Sequence, residues 1–306
     1  MSNIEPIIRV ENLSKSFDQV QALKGVNLTI HPGRIVGLVG ANGGGKSTLL
    51  RTAVGLYLPD GGSCTTFGQE AGKLRPEDLA RIGYVHQEGE LVDWMTVDQM
   101  VRYVAAYYPG WNGELEERYR SRFEVDGHRR VGVLSPGERQ KLAILLAIGF
   151  EPELLILDEP AAALDPIARQ RFLDLLLDII QDSGRTVLIS SHILSDIEKI
   201  IDHVLILDRG TILRDAGFDE LREEFSKVRL TSLNGPLPET LPFEGLLACE
   251  RSGAEALLTL RALNRSDMET AADSMRCTLE LLPLSFEEIY RLIIEGNRSE
   301  EAELEP

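Results

Sequence analysis

The sequence is short of positive charge, of cysteine and of long apolar runs. Its 306 residues include 32 lysines and arginines against 49 aspartates and glutamates, a formal net charge of −17. Nucleic-acid binding needs a basic surface, so this balance argues against nucleic acid as a direct partner. Cys64, Cys249 and Cys277 are odd in number and widely spaced. This pattern predicts reduced thiols rather than a disulfide framework or a zinc site.

No segment of the chain is predicted to enter a membrane. The longest apolar run, residues 142–150, is too short to cross a bilayer. The first five residues lack the basic and apolar regions of a secretory signal. We therefore expect a cytoplasmic chain whose contact with a membrane comes through another polypeptide. With 43% apolar residues the chain can bury a full core, and its length favours one large domain plus a small one.

A glycine-rich loop follows the apolar, strand-like run of residues 34–39. Residues 40–48 read Gly-Ala-Asn-Gly-Gly-Gly-Lys-Ser-Thr and fit the pattern G-x-x-x-x-G-K-[ST], and residues 47–56 read as a helix. Backbone N–H groups of such a loop can surround a phosphate, with the positive end of the helix facing the anion. An ordinary strand-to-helix turn is the alternative, but it seldom carries Lys-Ser at this offset. The predicted phosphate-binding residues are Gly40, Asn42, Gly43, Gly44, Gly45, Lys46, Ser47 and Thr48.

Within this loop, two side chains have predicted chemical roles. Lys46 would reach the β- and γ-phosphates of a nucleotide, and Ser47 would ligate Mg²⁺.

A second apolar run, residues 154–157, ends in Asp158 and Glu159. A buried parallel strand would deliver these acids to the sheet edge beside the loop, where Asp158 can hold Mg²⁺ and Glu159 can polarise an attacking water. Many strands end at solvated acids, so the position after the phosphate loop is what favours catalysis.

Residues 134–141, Leu-Ser-Pro-Gly-Glu-Arg-Gln-Lys, specify the start of a helix. Ser135 and Glu138 have the spacing of a capping box, and Pro136 falls at the first helical position, where its missing N–H is harmless. The helix dipole is then available to an anion. Seen alone, the same segment also fits an ordinary capped helix without a ligand.

Together with the two preceding motifs, this segment resembles the signature of the ATP-binding cassette (ABC) ATPases of membrane transporters. The resemblance spans about residues 6–220. In that family Leu-Ser-Gly-Gly-Gln contacts the γ-phosphate of ATP held by the phosphate loop of a second subunit. Leu134, Ser135 and Gly137 match, whereas Pro136 replaces a glycine and Glu138 replaces the glutamine. The acid at 138 adds negative charge near a phosphate, which predicts a weaker contact between subunits.

The resemblance implies roles for four further residues. Gln87 corresponds to the Q-loop glutamine, which touches Mg²⁺ or the attacking water, and Asp165 corresponds to the acid of the D-loop. His192 corresponds to the switch histidine that contacts the γ-phosphate. Phe17 takes the place of the aromatic residue that stacks on adenine. Singly, each residue type is more often structural, and their shared order along the chain carries the inference.

The resemblance also implies an α/β fold. The expected core is that of a P-loop NTPase, mainly parallel sheet with flanking antiparallel strands and a helical subdomain at about residues 88–150, all within a nucleotide-binding domain of residues 1–220. Short strand and helix patterns predict a small α+β domain over residues 221–296. This domain reads either as a packing or dimer-stabilising extension or as a ligand sensor. The acidic residues 297–306 predict a disordered tail.

Three aromatic residues stand out in the helical subdomain. Trp94, Tyr108 and Trp111 lie in or near a stretch of turn residues between two helical patterns. The resemblance places the contact with a membrane subunit here. Residues 88–112 therefore read either as part of a groove for a coupling helix of that subunit or as a local hydrophobic mini-core.

A single set of nucleotide motifs predicts a dimer, because the phosphate loop and the signature helix of one chain face opposite directions. We expect an ATPase that binds ATP and Mg²⁺ and pairs with a second nucleotide-binding subunit, identical or related. It would sit at the inner face of the cell membrane on a separate transmembrane permease. Residues 283–290 resemble the tails of ATPases of ABC-2-type exporters, which favours export. The alternative is a soluble ABC ATPase with a regulatory, ribosome-related or nucleic-acid-related role.

Overall fold

The computed structural model of the protein describes residues 5–86, 91–181, 184–261 and 265–304. It consists of two compact units, Met1–Asp215 and Ala216–Pro306. The division between them lies close to the predicted domain boundary at residue 220. Within the described ranges, no helix combines the length and the apolar composition needed to cross a bilayer.

The described strands, in chain order, are β1 Ile8–Phe17, β2 Val20–Ile30, β3 Ile35–Val39, β4 Gly61–Thr66, β5 Gln69–Glu70, β6 Ile82–Val85, β7 Leu154–Leu157, β8 Thr186–Ser191, β9 His203–Asp208, β10 Thr211–Gly217, β11 Phe225–Ser232, β12 Leu246–Ser252, β13 Glu255–Arg261 and β14 Cys277–Leu282.

The described α-helices are α1 Lys46–Ala53, α2 Pro76–Leu79, α3 Val97–Ala105, α4 Gly113–Phe123, α5 Pro136–Ile148, α6 Pro166–Gln181, α7 Leu194–Ile197, α8 Phe218–Glu223, α9 Arg265–Ser274 and α10 Phe286–Leu304. Short 3₁₀ turns cover Ala71–Lys73 and Val131–Val133.

A six-stranded sheet with the order β10-β9-β3-β8-β7-β6 positions the site. Strand β3 pairs in parallel with β8 and β9, and β7 pairs in parallel with β6 and β8. All residues of β3, β7 and β8 are buried, which explains their nearly continuous apolar sequences. The register of these parallel strands places Val39 of β3 beside Ser191 of β8, and Leu157 of β7 beside Ile189 of β8. The carboxyl ends of these three strands therefore meet at one edge, and each is followed by a predicted site motif.

A second sheet, with the order β2-β1-β4-β5, is antiparallel at each of its pairings, which confirms the flanking antiparallel strands. Its apolar side chains share one core with helix α1 and with the six-stranded sheet. Leu13 and Leu23 of the antiparallel sheet, Leu50 of α1, and Leu38 and Ile156 of the parallel strands belong to this cluster. The phosphate loop therefore lies between elements that are packed together on both sides.

Helices α3, α4 and α5 occupy the region predicted to be helical. Each begins at a side-chain cap, Thr96 for α3, Asn112 for α4 and Ser135 for α5, which supplies an acceptor for otherwise unpaired N–H groups. The three aromatic residues noted in the sequence of this subdomain lie in different environments. Trp94 is exposed, whereas Tyr108 stacks on a phenylalanine and the Trp111 indole N–H donates to Glu116.

The second unit is a four-stranded antiparallel sheet, β12-β13-β11-β14, with α9 packed against β14. Helix α10 begins at a capping box, in which the Ser285 N–H donates to the Glu288 carboxylate at 2.9 Å and the Glu288 N–H donates to the Ser285 hydroxyl at 3.3 Å. The helix is described as far as Leu304, and the disorder expected for residues 297–306 stays a prediction. The capped start and the glutamate, alanine and leucine that follow favour continuation of the helix.

Candidate nucleotide-binding site

The phosphate loop wraps around a cavity of about 380 Å³ at the carboxyl end of β3. The cavity is lined by Ala22, Asn42, Gly43, Gly44, Gly45, Lys46, Ser47, Thr48 and Glu159. Gly45 caps α1 with φ 106°, and a Cβ there would lie 2.5 Å from the Ala22 carbonyl oxygen. A Cβ at Gly40 would lie 2.1 Å from the carbonyl oxygen of Leu207. Glycine is therefore required at both positions to bring the backbone this close, and the first N–H groups of α1 are left for an anion.

Lys46 is the buried cation of this cavity. Its Nζ donates to the carbonyl oxygens of Gly40 at 2.8 Å and Ala41 at 3.3 Å. It also lies 3.2 Å from Oε1 of Glu159, an ion pair whose angles do not make a hydrogen bond. Both side chains are about one-twentieth exposed. In such an environment the ammonium group and the carboxylate attract each other strongly, so Lys46 holds Glu159 at the mouth of the loop.

His192 contacts the other oxygen of the same carboxylate. Its Nδ1 lies 2.8 Å from Oε2 of Glu159, and the His192 backbone N–H lies 3.4 Å from that oxygen. The imidazole is 40% exposed, whereas the Glu159 side chain is 5% exposed. Glu159 has a φ of 49°, a left-handed conformation rare for a residue with a side chain. The structure thus brings Lys46, Glu159 and His192, three predicted catalytic residues, into one chain of contacts.

Asp158 lies behind Glu159 and is fully buried. Ser190 of β8 connects the two acids, since its hydroxyl donates to Oδ1 of Asp158 at 2.8 Å and accepts from the Glu159 backbone N–H at 2.9 Å. The sequence analysis did not select Ser190. A signal was present, because a serine that directly follows three apolar residues of a buried strand needs a polar partner.

The donor set at this edge suits a magnesium ion. Oδ2 of Asp158 is buried and has no hydrogen-bond partner among the described residues, and an unpaired buried carboxylate oxygen is costly unless something else contacts it. Ser47 lines the neighbouring cavity. Carboxylate and hydroxyl oxygens are the ligands that Mg²⁺ prefers. Asp158 and Ser47 are therefore the residues that would hold it, while Gln87 lies outside the described residues.

Phe17 ends β1 and remains 40% exposed. Its ring meets Tyr57 edge to face, with the centroids 5.1 Å apart, and Lys15 Nζ lies 5.4 Å from the ring centroid. An exposed aromatic ring fixed in this way by its neighbours can offer a surface for stacking. This arrangement fits the predicted contact with adenine.

The signature segment begins α5 as predicted. The Ser135 hydroxyl accepts from the Glu138 N–H at 3.4 Å, and the Glu138 carboxylate accepts from the Ser135 N–H at 2.8 Å. Ser135 and Pro136 are exposed on their own protomer. A Cβ at Gly137 would lie 3.0 Å from the carbonyl oxygen of Ala163, so the signature helix approaches the D-loop closely.

Asp165 of the D-loop is exposed and caps α6. Its Oδ1 accepts from the backbone N–H groups of Ile167 and Ala168, each at 3.0 Å. The bond from the Ala168 N–H is the main cause that lowers the pKa of Asp165. The residue therefore stays ionised at neutral pH and fixes the turn that leads into α6.

The three cysteines carry no disulfide. Cys64 and Cys277 are buried, Cys249 is exposed, and all three are free thiols. Burial raises the pKa of Cys64 to about 12, which leaves it an unreactive thiol at neutral pH.

Comparisons with known proteins agree with this geometry. A family model described as ABC transporter matches residues 23–162. The ABC transporter ATP-binding protein YtrB of Bacillus subtilis strain 168 is 32% identical over 224 residues, covering 73% of this chain and 76% of that protein. The phosphonates import ATP-binding protein PhnC 1 of Pseudomonas aeruginosa strain UCBPP-PA14 is 34% identical over 241 residues, covering 72% and 87% respectively.

A solved structure shares the fold of the nucleotide-binding part. It is the dimeric, post-hydrolysis state of the ATP-binding cassette MJ0796 bound to ADP and Pi, which matches with a TM-score of 0.62 at 25% identity and covers 69% of this chain and 98% of that chain. The sheet edge described above thus has the fold of a cassette that binds the products of ATP hydrolysis. The chain therefore belongs to the ABC transporter family, in which it is an ATP-hydrolysing, nucleotide-binding subunit.

Proposed function

We propose that ATP binds with its phosphates in the loop of residues 40–48 and its adenine on Phe17, and that Glu159 acts as the general base. The chain of contacts from Lys46 through Glu159 to His192 is the observation that supports this most strongly. Entering phosphates compete with Glu159 for the Lys46 ammonium group. One Glu159 oxygen is then free to orient the attacking water and accept its proton.

His192 keeps the freed carboxylate in place. Its Nδ1 contacts Oε2 of Glu159, which leaves Oε1 for the water, and the exposed part of the imidazole is available to the γ-phosphate. Mg²⁺, held by Asp158 and Ser47, would neutralise charge that develops on the phosphates. Gln87 completes this proposed set as a contact of the metal or the water.

The second part of the proposal is a dimer with two ATP molecules at the interface. Ser135 is exposed at the positive end of α5, so it is accessible to a phosphate held by another chain. The dimeric state of MJ0796 supports the same arrangement. ATP binding would close the two subunits, and hydrolysis with product release would reopen them. The second subunit is another copy of this chain or a related ATPase.

The third part of the proposal is a separate transmembrane permease that holds the chain at the inner face of the cell membrane. Trp94, Tyr103 and Tyr107 supply exposed aromatic surface on the helical subdomain, of the kind that interfaces use. Tyr108 and Trp111 instead pack within the subdomain and act as its mini-core. Export is the proposed direction, on the resemblance of residues 283–290, although several relatives are named import proteins.

Two experiments test the proposal. The Glu159→Gln variant should accumulate as a dimer that retains ATP, and wild-type turnover from a chain lacking the side chains of both Glu159 and His192 would contradict the assignment.

Purification from detergent-solubilised membranes should recover a polytopic membrane protein together with the chain. Substitution of Trp94, Tyr103 and Tyr107 by alanine should release that protein while ATP binding stays intact.

A further inference from the structure

The glutamate that departs from the family signature is held from two sides. Both the backbone N–H and the hydroxyl of Ser135 donate to Oε2 of Glu138, each at 2.8 Å. Arg129 approaches from the loop that precedes α5 and bonds Oε1 of the same carboxylate. Its other terminal nitrogen donates to the carbonyl oxygen of Val133 at 3.3 Å. The guanidinium therefore connects the loop to the first turn of the signature helix.

This arrangement commits the Ser135 hydroxyl. A serine hydroxyl has one proton to donate, and here that proton is directed at Glu138. The backbone N–H of Ser135 is the main cause that lowers the pKa of Glu138, and the hydroxyl and Arg129 contribute in the same direction. The carboxylate is thus ionised at neutral pH. Ser135 can donate to a phosphate only if its hydroxyl leaves Glu138, and an uncompensated carboxylate would then lie close to that phosphate.

Arg129 is the cation placed to prevent this repulsion. The neighbouring Arg139 is engaged elsewhere, since it donates to Asp93 at 2.6 Å and to the carbonyl oxygen of Val131 at 3.2 Å. Arg129 bonds the oxygen of Glu138 that Ser135 does not use. The hydroxyl can therefore rotate away while the carboxylate remains paired, and the charge of the ion pair remains zero.

We propose that Arg129 is a positioning residue for the ATP-dependent pairing of subunits: it holds and neutralises Glu138 while Ser135 transfers its hydrogen bond from Glu138 to the γ-phosphate of the partner's ATP. This inference rests on the proposed function, since it requires that Ser135 contact a nucleotide in trans. It also explains how a signature with an acid at 138 remains usable. The charge that the sequence predicts to weaken the contact is cancelled by a residue six positions before Ser135.

The test is a double-mutant cycle measured by sedimentation of the full chain. All variants carry Glu159→Gln, and they are compared by the ATP concentration at which dimer formation is half complete. Arg129→Ala should raise that concentration about fivefold, the upper range for an exposed ion pair. Arg130→Ala, which removes the same charge from the exposed neighbouring side chain, is the matched control and should stay within about twofold of the parent.

The decisive variant is the combination of Arg129→Ala with Glu138→Gln. Glutamine can still accept hydrogen bonds but carries no charge, so Glu138→Gln alone should keep the parent value or lower it, and adding Arg129→Ala should change nothing further. The inference would be overturned if Arg129→Ala raised the half-dimer ATP concentration equally in the Glu138 and the Glu138→Gln backgrounds. It would also be overturned if Arg129→Ala raised that concentration in neither background. Ser135→Ala separates the two levels. If Ser135→Ala leaves ATP-dependent dimer formation unchanged, the proposed function has failed. If Ser135→Ala abolishes the dimer but Arg129→Ala does not weaken it, only the role of Arg129 is defeated.

Discussion

Ser190→Ala is the substitution whose effect can be worked out most fully from the structure. The hydroxyl is fully buried and makes two bonds, one to the Asp158 carboxylate at 2.8 Å and one from the Glu159 N–H at 2.9 Å. A hydrogen bond to a charged group contributes about 1.5–3 kcal/mol, and a buried N–H left unpaired costs about 1–3 kcal/mol. Because the two losses share one atom, we expect about 2–4 kcal/mol of lost stability rather than their full sum.

The same substitution should slow ATP hydrolysis. Glu159 adopts a φ of 49°, and the Ser190 bond fixes the backbone N–H at that turn. Without it the carboxylate can shift, and a displacement of about 1 Å can cost about a hundredfold in rate. We therefore expect basal ATP turnover to fall about 10- to 100-fold with a smaller change in KM.

The matched control is Thr66→Val, which removes another fully buried hydroxyl, one that donates to the Ala53 carbonyl oxygen at 2.7 Å. It should cost about 1 kcal/mol and leave turnover unchanged. Denaturant unfolding and steady-state ATP hydrolysis measure both quantities. If Ser190→Ala behaves like Thr66→Val in both assays, the account of how the two acids are held is refuted.

Three further predictions concern other parts of the chain. Gly45→Ala places a Cβ 2.5 Å from a carbonyl oxygen at φ 106°, so ATP binding should be lost in calorimetry, and retained affinity would contradict the close approach. Tyr119→Phe removes a buried hydroxyl that has no partner among the described residues, and unfolding should show a gain of about 1 kcal/mol. Lys227, together with the backbone N–H and hydroxyl of Ser285, lowers the pKa of Glu288 from 4.5 to about 2, so the stability that the ionised carboxylate provides is complete above pH 4.5 and is lost as pH falls toward 2. Glu288→Gln should therefore cost about 2 kcal/mol at pH 7 and almost nothing near pH 2, and a pH-independent loss would exclude the ion pair as the cause.

The motifs of the candidate nucleotide site are local, so each of them can be recognised in the sequence alone. The phosphate loop, the acids after β7 and the cap at Ser135 each depend on a few neighbouring residues, and strand pairing then brings the first two together. What local patterns miss are contacts between distant segments. Ser190 lies 32 positions from Asp158, and the pairing of Arg129 with Glu138 depends on the path of the preceding loop.

The second unit shows the same limit. Period-two apolar patterns predict its strands, and the Ser285 and Glu288 spacing predicts the start of α10. The acidic composition of residues 297–306 favours disorder, so composition alone does not predict how far that helix extends. The helix to Leu304 shows that a strong cap and good helix-forming residues can extend an element into a highly charged tail.

The central claim is that each ATP is held by the phosphate loop of one chain and the signature helix of another. Mixing two inactive variants, Lys46→Ala and Ser135→Asp, tests it most directly, because only a mixed dimer contains one site with both residues intact. The account predicts that ATP turnover, absent from each variant alone, returns to about a quarter of the wild-type level, since about half of randomly paired dimers are mixed. A mixture that forms dimers but remains inactive would contradict the claim.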